Sequence, residues 1–160
     1  DNGSMTVTET RSYGSTGGSG STMGVNGPNF PNITAAGRYR AIWDGRNVDN
    51  IKYELSPATE MRVVGNGMTG VPDWNPGASP QMTYSGNGIW TITLALDANE
   101  EIKFLAGNAW GAFDYEDNGA SGATNTRKIK WEGGSNFSTP GVAGSYTITL
   151  NENTQTVTIN

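Results

Sequence analysis

The chain has no cysteine and no histidine among its 160 residues. The missing histidine excludes more. Ser-His-Asp and Cys-His mechanisms both need an imidazole, and so does a His-ligated zinc site. The missing cysteine rules out disulfides but leaves the compartment open, since many proteins exposed by Gram-negative bacteria also lack them. Of the common enzyme chemistries, those using a carboxylate pair, such as glycoside hydrolysis, pass this filter. Charge is sparse too: 16% of residues are charged, the net charge is −5, and no run of Lys or Arg occurs. A nucleic-acid binder carries a basic stripe, so no nucleic-acid partner is expected. No apolar run approaches the length of a membrane-spanning helix, and no basic-then-apolar leader is present. Membrane insertion by this stretch is therefore not expected. The start at Asp1, in mid-composition, reads as a mature fragment.

What the chain has in quantity is Gly, at 23 residues, with Thr, Asn and Ser around short apolar runs. That mixture suits an all-β protein with many turns. "MRVVGNG" (61–67) is a short apolar run stopped at glycine. "GIWTITLAL" (88–96) alternates, with Trp90, Ile92, Leu94 and Leu96 on one face and Thr91 and Thr93 on the other. "EEIKFLAG" (100–107) sets Ile102 and Phe104 against Glu101, Lys103 and Leu105. "GSYTITL" (144–150) and "QTVTIN" (155–160) flank "NENT" as a hairpin. No stretch holds a helical period. The expected fold is an antiparallel β-sandwich of the immunoglobulin-like or carbohydrate-binding-module type.

The chain also repeats itself. "GPNFPNITAAGRYRAIW" (27–43) matches "GSNFSTPGVAGSYTITL" (134–150) at Gly, Asn, Phe, Ala, Gly and Tyr, always 107 positions apart. "NIKYEL" (50–55) then stands where "QTVTIN" does, and "SYGSTGGSG" (12–20) echoes "DYEDNGASG" (114–122). Such internal similarity is the signature of tandem modules. Residues 1–56 read as the C-terminal remnant of an upstream module, 57–60 as a linker, and 61–160 as a complete module. A lone hairpin is marginal in water. The remnant is therefore expected to be partly disordered, or packed on the complete module or on a neighbouring chain.

The ordered set "MRVVGNG…VPDWNP", "SPQMTYSGNGIWTITLAL", "EEIKFLAG", "AWGAFDY", "GGSNF" and "AGSYTITLNENTQTVTI" resembles the C-terminal modules of SusE/SusF-type outer-membrane starch-binding lipoproteins. The likeness spans nearly all of 60–160 and, more weakly, 12–55. It implies a non-catalytic module that holds a polysaccharide on the outer face of the outer membrane. The parent protein would be lipid-anchored and would work beside a glycan importer. Starch or another α-glucan is the first expected ligand, and a plant cell-wall glycan such as xylan the second. The alternative is a structural spacer or adhesin-like repeat with no sugar site.

Sugar rings offer flat C–H patches rimmed by hydroxyls, so a site needs exposed aromatic faces and a few polar groups. Rigid aromatics lose little side-chain entropy on binding. Trp110 in "GNAWGAF" has small neighbours, and Trp74 in "VPDWNPG" lies between stiffening prolines. Tyr115 is a third candidate face, although its counterpart Tyr13 points equally to a repeated structural role. Lys103, Asn108, Asp114 and Arg127 are the expected polar partners, with Lys130 behind them. Trp90, in the alternating strand, belongs to the core, and Trp131 in "KIKWEGG" leans to structure. The stretch 116–134 reads as a long charged loop. "DYEDNG" (114–119) resembles the opening of a calcium loop, but Asn125 stands where an EF-hand needs its closing Glu. An ordinary calcium-stabilised loop stays open, while no metal or other cofactor is expected. Asp114 and Glu116, as neighbours on one solvated loop, do not straddle a glycosidic bond as a catalytic pair must. No enzymatic activity is expected.

Overall fold

The computed structural model describes residues 13–15, 23–25, 28–30, 33–44, 52–121, 125–131 and 133–160. Much of the echo between 12–20 and 114–122 lies outside the described residues, as do Gly27, Asn50 and Ile51. Every regular element described is a β-strand, and every strand pairing is antiparallel. The chain divides into two compact units, Asp1–Ala58 and Thr59–Asn160.

In the N-terminal unit β1 (Tyr13–Ser15) pairs with β2 (Met23–Val25), and β3 (Tyr39–Asp44) with β4 (Lys52–Pro57). The base of the second hairpin closes through Ala58 N–H to the Arg38 carbonyl at 2.9 Å and Arg38 Nε to the Ala58 carbonyl at 2.7 Å.

The C-terminal unit holds the other strands: β5 (Arg62–Gly65), β6 (Thr83–Gly86), β7 (Ile89–Leu96), β8 (Glu101–Leu105), β9 (Asp114–Ser121), β10 (Thr126–Trp131), β11 (Phe137–Ser138), β12 (Gly144–Asn151) and β13 (Thr156–Ile159). They form one sheet in the order β11-β8-β9-β10-β13-β12-β7-β6, with β5 on the other edge of β8. The sheet curls back on itself. Met82 N–H bonds the Met61 carbonyl at 2.7 Å and Val63 N–H the Pro80 carbonyl at 3.1 Å, joining the chain before β6 to β5. Beyond β5, Met68 bridges Leu96 at the end of β7. The fold is all-β and sandwich-like, as the alternating runs require.

The two curled walls enclose the core. Trp90, Leu96, Ile102, Phe104, Phe137, Ile148 and Leu150 are all buried. Phe104 meets Phe137 edge-on at 5.3 Å. Trp90 is core, as its strand pattern requires. Glu152, in the β12–β13 turn, joins the walls: it accepts Trp90 Nε1–H at 2.9 Å and Tyr115 O–H at 3.0 Å.

Gly65 shows how closely β5 approaches β8. A Cβ there would lie 2.1 Å from the Glu101 carbonyl oxygen, a backbone atom that cannot swing away. Gly65→Ala should therefore cost about 2 kcal/mol or more, as overpacking of a tight interior does. Urea unfolding checks this; a loss below roughly 0.5 kcal/mol would mean that β5 and β8 separate freely.

Candidate functional site

Two connections of the C-terminal unit come close to each other. The first, 106–113, links β8 to β9 and is pinned by Ala106 N–H to the Phe113 carbonyl at 2.7 Å. Gly107 packs so closely on Ala112 that a Cβ would come within 2.6 Å of the alanine methyl. Gly111 takes φ +93, which a side chain would resist. These small residues leave Trp110 at the tip, 56% exposed. Asn108 and Ala109 beside it are exposed as well.

The second connection, 66–80, folds back onto β5. Trp74 N–H reaches the Gly65 carbonyl at 3.1 Å, and Arg62 donates to the Ser79 carbonyl at 2.6 Å. Asn75 organises its tip by accepting Ala78 N–H at 3.3 Å on its side chain and Ser79 O–H at 2.7 Å on its carbonyl. A Cβ on Gly77 would sit 3.8 Å from the Asn108 carbonyl oxygen, so the two connections come close there. Trp74 is half-buried and holds φ +48. A bulky residue pays about 1–2 kcal/mol for that backbone, and such outliers gather at working surfaces. The turn Asn75–Ser79 is the part of this connection that approaches Asn108; Trp74 itself is held at the Gly65 end of β5, which pairs with Ile102, whereas the 106–113 connection leaves from Leu105, which pairs with Arg62.

The remaining candidates do not join Trp110 as free groups. Tyr115 is 5% exposed, its ring edge-on to Phe113 at 4.8 Å and its hydroxyl on Glu152. It offers no face to a ligand and is corrected to a core residue, the structural role its counterpart Tyr13 also pointed to. Trp131 is buried against Phe113 and builds the fold. Lys103 does lie on the outer face, but its amine sits between Asp114 and Glu116, 2.8 Å from Glu116 Oε1. Glu116 also accepts Gly134 N–H at 2.6 Å. These three side chains are already committed to one another. Arg127 is likewise paired, its guanidinium donating to the Asp117 carboxylate.

The stretch 116–134 is also corrected. Within it 116–121 and 126–131 are strand rather than loop, parts of β9 and β10 paired from Arg127↔Ser121 to Trp131↔Tyr115. "DYEDNG" is likewise part of a strand, and no group of three or more His, Cys, Asp or Glu among the described residues is placed to hold a metal ion.

Burial alone would lower the Lys103 pKa. The hydrogen bonds it donates to Asp114 and Glu116, with their charges, outweigh it and hold the amine above the ordinary 10.5. A raised lysine stabilises the fold fully below the unfolded value and loses that contribution as pH climbs through the folded one. Stability should thus be insensitive to this group up to about pH 9 and fall in the range above 10.5. Lys103→Met should remove that alkaline step; its persistence in the variant would assign it to other groups.

Comparison with known proteins finds no matching family model, no matching curated protein and no matching solved structure. The site is therefore read from its own geometry.

Sequence reasoning missed the Asn75–Ser79 turn, whose signal was the Asn-Pro-Gly triplet after Trp74. It also missed Trp43, 64% exposed in the N-terminal unit, although the repeat places it opposite Leu150 of the second copy.

Proposed function

We propose that the C-terminal unit binds a neutral polysaccharide without chemical change, by stacking sugar rings on Trp110, with Asn108 two residues away for hydroxyls and Trp74 as a further aromatic face. The observation that carries this reading is the exposure of Trp110, at 56%, on a tip built from Gly and Ala. A large apolar ring on such a tip contributes nothing to the core, yet it matches the flat face of a pyranose. Asn108 supplies both a donor and an acceptor for hydroxyls. A neutral ligand fits because Lys103, on the strand that leads into the Trp110 connection, is already held by two carboxylates. The same ion pairs argue against catalysis, since Asp114 and Glu116 lie two residues apart on one strand and share one amine. An α-glucan is the first ligand and xylan the second, on the resemblance to SusE/SusF-type lipoproteins. The same resemblance supports a place on the cell surface, in a lipid-anchored parent working beside an outer-membrane importer.

The burial of Phe113, Tyr115 and Trp131 favours a second reading, a structural repeat whose aromatics only build the fold. Affinity electrophoresis in gels containing starch, xylan, xyloglucan or galactomannan separates the two. The binding reading expects retardation in at least one gel, strongest in starch. Unchanged mobility in all four would leave the structural repeat.

A further inference from the structure

We propose that the surface notch between the Asn75–Ser79 turn and the 106–113 connection is a subsite for sugar hydroxyl donors, kept open by Gly77. It rests on the reading of Trp110 as a glycan platform and locates where a neighbouring ring of the same chain is held. A side chain at Gly77 would meet Asn75 Oδ1 at 3.5 Å and the Asn108 carbonyl oxygen at 3.8 Å. Both atoms are acceptors, and they border one point from two different connections. Asn75, Gly77, Ala78, Asn108 and Ala109 are all exposed, so that point lies at the surface.

Both oxygens have capacity to spare. No donor among the described residues reaches the Asn108 carbonyl, and Asn75 Oδ1 takes one long bond, 3.3 Å from Ala78 N–H. An amide oxygen has two lone pairs. Exposed acceptors bind water, which a sugar hydroxyl replaces without losing the bond. Their positions are set in advance. The Asn75 carbonyl ties its turn by accepting Ala78 N–H at 3.1 Å and Ser79 O–H at 2.7 Å. Arg62 holds that turn on β5 through the Ser79 carbonyl at 2.6 Å, and Ala112 N–H to the Ala109 carbonyl at 3.3 Å closes the tip just after Asn108. Preorganised partners lower the entropy cost of binding. Two uncharged oxygens suit neutral O–H donors: an anion would bring oxygen against oxygen, and calcium takes about six or more oxygen ligands. Asn108 is two residues from Trp110, a span of at most roughly 7 Å. A chain stacked on Trp110 therefore has a neighbouring ring within reach of the notch. The class favoured is a glycan whose ring hydroxyls are unsubstituted, over an acetylated one.

Gly77→Ala is the test. Gly77 holds no positive φ, and the added methyl would make only ordinary packing contacts, so the variant is expected to fold. Such a replacement also restricts the unfolded chain, which favours the folded state. The methyl would take the place of the donors. Isothermal titration calorimetry uses maltohexaose, with xylohexaose in parallel. The variant should bind at least tenfold more weakly than the parent while melting no earlier. In labelled parent protein the amide nitrogen of Ala109, bonded to the Asn108 carbonyl carbon, should shift on saturation. A Gly77→Ala protein that binds as the parent does, while Trp110→Ala loses binding, would overturn the notch and leave the platform standing. An Ala109 nitrogen that stays fixed in saturated protein would overturn it too. A parent that binds neither hexaose up to about millimolar concentration would overturn the notch and the platform together.

Discussion

Trp90→Ala is expected to destabilise the C-terminal unit by about 3–5 kcal/mol, the range for removing a buried large aromatic. Trp90 is 1% exposed, packs on Tyr84 with ring centroids 4.9 Å apart, and faces Leu150 across the β7–β12 ladder. Truncation empties that space and takes one of the two described side-chain donors from Glu152. Glu152 is only half-buried and keeps the Tyr115 bond, so the cavity dominates the loss. Urea unfolding monitored by far-ultraviolet circular dichroism measures the loss. A change below about 1 kcal/mol would show that the two walls do not meet at this residue.

Trp110→Ala should do the opposite. The ring is mostly in solvent, so stability should change by no more than about 0.5 kcal/mol. Glycan affinity should fall at least tenfold, or about 1.4 kcal/mol. For a millimolar to micromolar ligand, worth roughly −4 to −8 kcal/mol in all, one aromatic anchor supplies a large share. The two variants work as a pair, because Trp90→Ala could also weaken binding by unfolding the unit. An early melt of Trp110→Ala, with binding of the folded fraction unchanged, would make the tip structural.

The physical reasons for what could be read in the sequence are visible strand by strand. β7 was legible because Trp90 and Leu96 alternate with threonines, and β12–β13 because an Asn-rich turn separates two such runs. In the short apolar run stopped at glycine, Val63 and Val64 are both fully buried. β9 was illegible for the converse reason. Its outer positions are Asp114 and Glu116, neutralised by Lys103, and its inner position 117 is an aspartate held by Arg127. Only Tyr115 and its neighbour Phe113 carry an apolar signal there, and glycine at 119 completes the look of a loop. Tyr115 was misplaced with it. At the site, Trp110 was legible from its small neighbours alone. That the turn after Trp74 comes close to Asn108 depends on long-range folding of 66–80 onto β5, which no local pattern encodes.

The most direct test uses the five tryptophan side chains as separate reporters. Indole N–H resonances of labelled protein should be assigned by single substitutions and followed during titration with maltooligosaccharides and xylooligosaccharides. The account predicts a saturable shift at Trp110, a smaller one at Trp74, and none at Trp90 or Trp131. A Trp110 resonance that stays fixed while the protein is retarded by the parent polysaccharide would contradict it.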